Sequence, residues 1–361
     1  AARGAVLVAP TLAVNRGTSQ AWINSPGKVH LLMKQDAAGK PLATPQPLEI
    51  TWQESMALEG DRITFQGDVH VKHADGWLRT RRLTAVLTQA VRFDGAAGGA
   101  PPELAQLECH EGARGEAYGR DPAGNTTSHQ VFRAESIVIN QITGAISGQG
   151  PGHLDSIHLS KGDGAWMVLP DVTGAAAPTP PAVPEGPPTL RHLSLDFVRS
   201  IEGNIHTPEV RVSGDVRTVY GGVDTWEQRL EMTAGGSPGP DAYWISCDSL
   251  LVTDSVLARM QAAGPRRGFG LVELRAETNV VIEAEHPQRG AFTLRGSRAT
   301  YDQAKAIFVL QGDARTPATV TYQKFPGGPF EEQPADKFMY LQQTGDLRVE
   351  GFKKFEMNFF E

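Results

Sequence analysis

The stretch ITFQGDVHVKH (residues 63–73) decides the fold. Ile63, Phe65, Val69 and Val71 fall at alternate positions, and Thr64, Gln66, Asp68, His70 and Lys72 fall between them. Successive side chains of a strand point to opposite faces, so one face of this segment is dry and the other wet. The pattern recurs in VRVSGDVRTVY (210–220), with Val210, Val212, Val216 and Thr218 on one face. It recurs again in TNVVIEAE (278–285), with Thr278, Val280 and Ile282. Gly, Pro, Asn and Asp interrupt the chain too often for long buried helices, which predicts an all-β chain. Two windows, 77–93 and 249–262, also fit helical spacing. Each follows a Gly-Asp-Val strand where a returning strand is expected, and their Thr and Val residues favour sheets, so strands are predicted, with one helical turn near 254–262.

The chain has 361 residues, enough for a sizeable core and for two or three domains. Its formal net charge is −7, from 34 basic and 41 acidic residues of mixed order, which predicts no basic face for a nucleic acid. Two cysteines, Cys109 and Cys247, make neither a disulfide framework nor a zinc pattern. They read as buried small hydrophobes or as one long-range bridge. The opening AARGAVLVAP has no signal-peptide regions and no apolar run approaches ~18 residues, so the chain reads as soluble, a trimmed mature fragment.

Internal repetition is the most informative feature. SPGKVHLL (25–32) matches GPGHLDSI (150–157), QGDVHV (66–71) matches SGDVRT (213–218), and FRAESIVINQITGAISGQG (132–150) aligns with LRGSRATYDQAKAIFVLQG (294–312). The last alignment predicts that Gly150 and Gly312 are equivalent, as are Gly67 and Gly214. The Pro/Ala-rich stretches 34–47 and 170–188 take corresponding places as loops inside each copy. The opening NRGTSQAWINSPG (15–27) looks like the end of another such unit, and residues 1–20 read as the end of a preceding module. Residues 21–150 are then the first full module, 151–315 the second with its Pro-rich loop at 170–188, and 316–361 a C-terminal β or irregular extension.

The order LEGDRITFQGDVHV, WLRTRRLTAVL, FRAESIVINQITGAISGQG resembles the OstA-like domain of the lipopolysaccharide-transport bridge proteins. VRVSGDVRTV, YWISCDSLLV and LRGSRATYDQAKAIFVLQGD resemble a second copy, and the two together cover most of residues 20–315. The resemblance implies tandem β-jelly-roll modules with twisted, open antiparallel sheets and Pro/Gly-rich loops. It implies a bacterial periplasmic, outer-membrane-associated protein without a cofactor. Its interior would be an apolar groove for lipopolysaccharide or a similar lipid. On that account Ile63, Phe65, Val69, Val71, Val210, Val212, Val216, Val280, Ile282, Phe292 and Leu294 line the groove. An acyl chain of about 12 carbons entering it would gain roughly 10 kcal/mol before ordering costs. Open strand edges would pair with other bridge or outer-membrane translocon proteins. The Pro-rich inserts and the Gly/Pro stretch 94–103 are longer than the compact family pattern.

Catalytic motifs fail on chemistry, so no enzyme is predicted and no catalytic or metal residue is assigned. GGSPG (235–239) matches the G-x-S-x-G expression, but Pro238 lacks the N–H that a nucleophile elbow needs. His70 and His73 are three apart on a strand and face opposite sides, and H-E-x-x-H is absent. Two other readings use the same fold: an envelope scaffold with filled cores, and a glycan-binding module presenting Trp22, Trp52, Trp77, Trp166, Trp226 and Trp244.

Overall fold

The computed structural model describes residues 6–35, 41–93, 102–121, 123–160, 189–204, 206–207, 209–231, 242–254, 272–286, 290–303, 305–323, 326–341 and 346–351. Every regular element among them is a strand. In chain order they are β1 (Val6–Val8), β2 (Ala13–Asn15), β3 (Gln20–Ile23), β4 (Gly27–Gln35), β5 (Pro41–Trp52), β6 (Ser55–Glu59), β7 (Arg62–His73), β8 (Gly76–Leu87), β9 (Leu104–His110), β10 (Ala113–Arg120), β11 (Thr126–Ala134), β12 (Ser136–Asn140) and β13 (Ala145–Gln149). There follow β14 (Gly152–Ser160), β15 (Thr189–Phe197), β16 (Ser200–Asn204), β17 (Glu209–Val223), β18 (Ala242–Asp254), β19 (Val272–His286), β20 (Gly290–Asp302), β21 (Ile307–Gln311), β22 (Ala318–Gln323), β23 (Phe330–Ala335), β24 (Lys337–Leu341) and β25 (Asp346–Glu350). Residues 77–87 and 249–254, where helical spacing competed, are strand. The helical turn expected near 254–262 lies almost wholly outside the described residues.

The chain divides into two compact units, Ala1–Leu154 with Ser200–Thr207, and Asp155–Arg199 with Pro208–Glu361. In the first unit β7 and β8 each serve two sheets. Before its bulge β7 pairs with β6, and after it with β5. β8 pairs first with β10 and then with β9. The two layers close over one core, with Val29, Ile50 and Ala113 from one and Ile23, Met56 and Cys109 from the other. Trp52, wholly buried, fills its centre; its ring lies 5.2 Å from Phe65 and its Nε1–H donates to Ser25 O at 3.0 Å.

The strand that changes sheets needs a corner, and the Gly-Asp pair makes it. Gly67 (φ 81°) and Asp68 (φ 45°) are left-handed, and the register slips there between Gln66↔Arg82 and Val69↔Thr80. A bulge of this kind bends a strand and increases its twist. The turn between β5 and β6 docks on it: Gln53 N–H donates to Gly67 O at 2.6 Å and Glu54 N–H to Gln66 O at 3.0 Å. The second unit repeats the corner at Gly214 (φ 84°) and Asp215 (φ 43°). There Val198 N–H donates to Gly214 O at 2.7 Å and Arg199 N–H to Ser213 O at 3.0 Å. The predicted equivalence of Gly67 and Gly214 therefore holds down to individual hydrogen bonds.

The other predicted equivalence does not hold. Gly312 N–H donates to Asp336 O and Asp336 N–H to Glu350 O, as Gly112 N–H donates to Glu135 O and Glu135 N–H to Gln149 O. Gly312 thus corresponds to Gly112, and Gly150 to Gly351. The β8–β13 pairings are repeated by β20–β25, so the second copy runs to Glu350 and residues past 315 are not an appendage. The cause is an extra pair of long strands. The first unit has one corner between β7 and β8. The second has the Gly214 corner between β17 and β18 and another at Thr278 (φ 62°) and Asn279 (φ 53°) between β19 and β20. That last bulge turns Thr278 out to solvent, contrary to the alternation reading, while Val280 and Ile282 stay buried.

The stretch 34–47 is not wholly loop either. Pro41–Pro47 belong to β5 and run against β4, short of the β5–β7 pairing that begins at Leu48. Proline is tolerated where no second neighbour asks for its missing N–H. The loop 170–188 lies outside the described residues, as do residues 94–101 and 232–241 with the GGSPG motif.

Candidate functional site

The interior between the layers is the candidate site, and the groove residues divide by unit. Phe65 and Val69 belong to the first core, with Ile63 and Val71 half-buried against it. Trp52 occupies the space beside them so fully that a methyl group on Gly27 would come within 2.9 Å of its ring. In the second unit Val212, Val216, Val280, Ile282 and Leu294 are buried, and Val210 and Phe292 half-buried.

A small apolar cleft enclosing about 20 Å³ opens in the second unit, lined by Ile245, Leu250, Leu274, Ala276, Ile282, Ala299, Thr300, Tyr301 and Phe308. Of the eleven predicted groove residues only Ile282 lines it. The other lining residues come from β18–β21, whose alternation is broken by bulges at Cys247–Asp248 and Thr278–Asn279. On β18 and β20 a period-2 reading carried across the bulge assigns side chains to the wrong face, whereas on β19 Ala276 stays in phase with Val280 and Ile282. Two small residues, Ala276 and Ala299, face each other in register on β19 and β20 and leave the room that larger ones would fill.

Two polar clusters lie outside the cleft. On β10 the Glu116 carboxylate accepts from Tyr118 OH, from Trp77 Nε1–H at 2.7 Å and contacts His129 Nε2 at 2.8 Å, with Tyr118 and His129 stacked 4.7 Å apart. The Tyr118 hydrogen bond leads in holding this carboxyl below its usual range, and the same contact raises the tyrosine. In the second unit His192, wholly buried, accepts Leu230 N–H on Nδ1 at 3.2 Å, so its Nε2 carries the proton to Asp155 Oδ2 at 2.9 Å. Arg229 Nε sits 2.8 Å from Asp155 Oδ1. Both ring nitrogens of His192 are thereby committed to holding a surface segment down, which is a structural use.

Cys109 and Cys247 are free and buried, and burial pushes both thiols up to about 12. Among the described residues no cluster of His, Cys, Asp and Glu could hold a metal ion, and no helix is long and apolar enough to cross a membrane. The tryptophans have separate tasks: Trp52 is core, Trp77 holds Glu116, Trp22 is 39% exposed on β3, and Trp166 lies outside the described residues. Compared with protein-family models, curated proteins and solved structures, the chain matches none.

Proposed function

We propose that this chain is a non-enzymatic cell-envelope protein of the OstA-like kind, built of tandem jelly-roll modules, that holds an acyl chain of lipopolysaccharide or a similar lipid between its sheets. The cleft of the second unit carries this reading, because it is apolar, bounded by both layers, and kept open by two alanines. Its enclosed volume of about 20 Å³ is far below the roughly 300–1,000 Å³ of ligand sites, so an acyl chain enters only where the layers part beside the alanines. The repeated glycine corners add support, since they make a frame in which one strand feeds two sheets. Strand edges also offer themselves: among the described residues β23 and β25 each pair with one strand, and such edges accept a strand from a neighbouring protein. The periplasmic setting and the transport role follow from the family resemblance alone.

The filled core of the first unit favours the scaffold reading for that unit. A charge at Phe65 or Val216 would unfold a packed core, so it does not test carriage. The cleft does. Ala276→Leu closes it with apolar atoms at an overpacking cost of about 1–3 kcal/mol, and is expected to abolish lipid recovered by native mass spectrometry from the purified chain while the chain still unfolds cooperatively. A parent protein that never carries lipid, or a folded A276L that carries as much as the parent, overturns the proposal.

A further inference from the structure

A basic row stands on the wet face of the first unit that no single stretch of sequence displays. Arg79 on β8 lies directly opposite Arg114 on β10, and Arg114 directly opposite Arg133 on β11. His70 on β7 continues the row beyond Arg79. Directly opposed residues of antiparallel strands share a face with side chains in reach, and like charges there repel. At about 4.8 Å between strands, the three arginines span only about 10 Å of backbone. All three are exposed.

Asp68 occupies the fork of Arg79, which donates from Nε to Oδ1 at 2.5 Å and from Nη2 to Oδ2 at 2.7 Å. Among the described residues nothing bonds or ion-pairs with Arg114 or Arg133. Glu116, two residues from Arg114 on the same strand, is occupied by Trp77, Tyr118 and His129, and Glu111 lies 3.7 and 3.6 Å from Arg81 and Arg82. The second unit shows that the frame does not require this row: its counterpart runs Val281, Arg295, Thr319, Pro334. The same corner and the same pairings stand there with a single charge.

We infer that Arg114 and Arg133, with the Asp68-bound Arg79 beside them, form a binding site for a phosphate group, either the headgroup of a phospholipid or glycolipid or a free phosphate. The guanidinium fork matches phosphate oxygens two at a time, and a doubly charged anion relieves the repulsion that the row imposes on the free protein. A 10 Å row on a chain of net charge −7 suits one headgroup and not a nucleic-acid backbone. The site stands apart from the acyl cleft and does not depend on it.

The test uses the full chain and two probes at low salt: pyrophosphate, followed by calorimetry, and phosphatidylcholine vesicles containing phosphatidic acid, followed by co-sedimentation. The parent is expected to bind pyrophosphate, and the R114T/R133T variant at least tenfold more weakly, each lost charge-assisted bond being worth about that factor. The control R295T binds as the parent does, and R114T/R133T melts no lower than the parent because it sheds repulsion. Binding to phosphatidic acid but not to plain vesicles adds a lipid as the source, and binding to pyrophosphate alone assigns a soluble one. If the double variant fails to fold, Arg114→Gln alone carries the comparison. A parent that binds neither probe, or an arginine variant that binds as tightly as the parent, overturns the site. Phosphate binding in a protein that carries no acyl chain leaves this inference standing and removes only the cleft reading.

Discussion

At equivalent corners the two units place different side chains. Trp52, beside the Gly67 corner, packs on Phe65; beside the Gly214 corner the same positions are Phe197 and Val212. The backbone bonds agree to within 0.1 Å, at 2.6 and 3.0 Å against 2.7 and 3.0 Å. The frame is therefore set by the glycine bulge and the docking turn, and the filling is free to vary. The first unit spends its interior on aromatic packing. The second, with smaller residues at its corner and an added strand pair, leaves an apolar cleft nearby.

Removing the plug should separate the units most strongly. Trp52→Ala is expected to cost about 4 kcal/mol in urea unfolding, at the upper end for a large buried side chain with no neighbour free to collapse into the gap. Phe197→Ala should cost about 1 kcal/mol less. Equal costs, or the reverse order, would break the contrast between a filled and a less filled interior.

The corners should respond alike. A methyl group on Gly67 would lie 2.7 Å from Glu54 N, and one on Gly214 2.8 Å from Arg199 N, and each would also sit on a left-handed backbone. Gly67→Ala and Gly214→Ala are each expected to cost about 2–3 kcal/mol, because the obstructing atom is backbone and cannot swing away. A difference beyond about 1 kcal/mol by denaturant titration would mean the shared hydrogen bonds conceal different strain.

Much of this frame is legible from alternation and Gly-Asp-Val spacing, since both report which face of a strand is buried. Phe65, Val69, Val212 and Val216 are core for that reason. What is not legible is topology: the sequence match that set Gly312 against Gly150 rests on a hairpin ending in Gly, and every copy has several. The inserted β18–β19 pair moves the true counterpart of Gly150 to Gly351, and only the pairing exposes it. The cleft is hidden for a related reason, because the bulges shift the alternation between Cys247 and Leu250 on β18 and between Leu294 and Ala299 on β20. The arginine row is hidden because its members are 35 and 19 positions apart and meet only through register.

The smallest expected effect concerns acid. In the first unit Trp77 faces Glu116 across the β8–β10 pair, whereas the second unit has Thr293 facing Thr321. The Glu116 carboxyl is held below its usual range, first by Tyr118 and then by Trp77 and His129, against a desolvation penalty that pushes the other way. A group with a depressed folded pKa binds protons more readily when unfolded. Its stabilisation is therefore complete above the ordinary carboxylate range and disappears as pH falls through that range to the folded value. At pH 7 Glu116→Gln should lose about 1.5 kcal/mol, the worth of hydrogen bonds to a charged partner that is mostly shielded from solvent. In acid, once pH has fallen below the folded value, the parent and E116Q should unfold at nearly the same denaturant midpoint. Thr321→Val, at the matching place in the second unit, should show the same small effect at both pH values. A deficit in E116Q that persists unchanged in acid would show that Glu116 acts through packing and not through its charge, and would remove this distinction between the units.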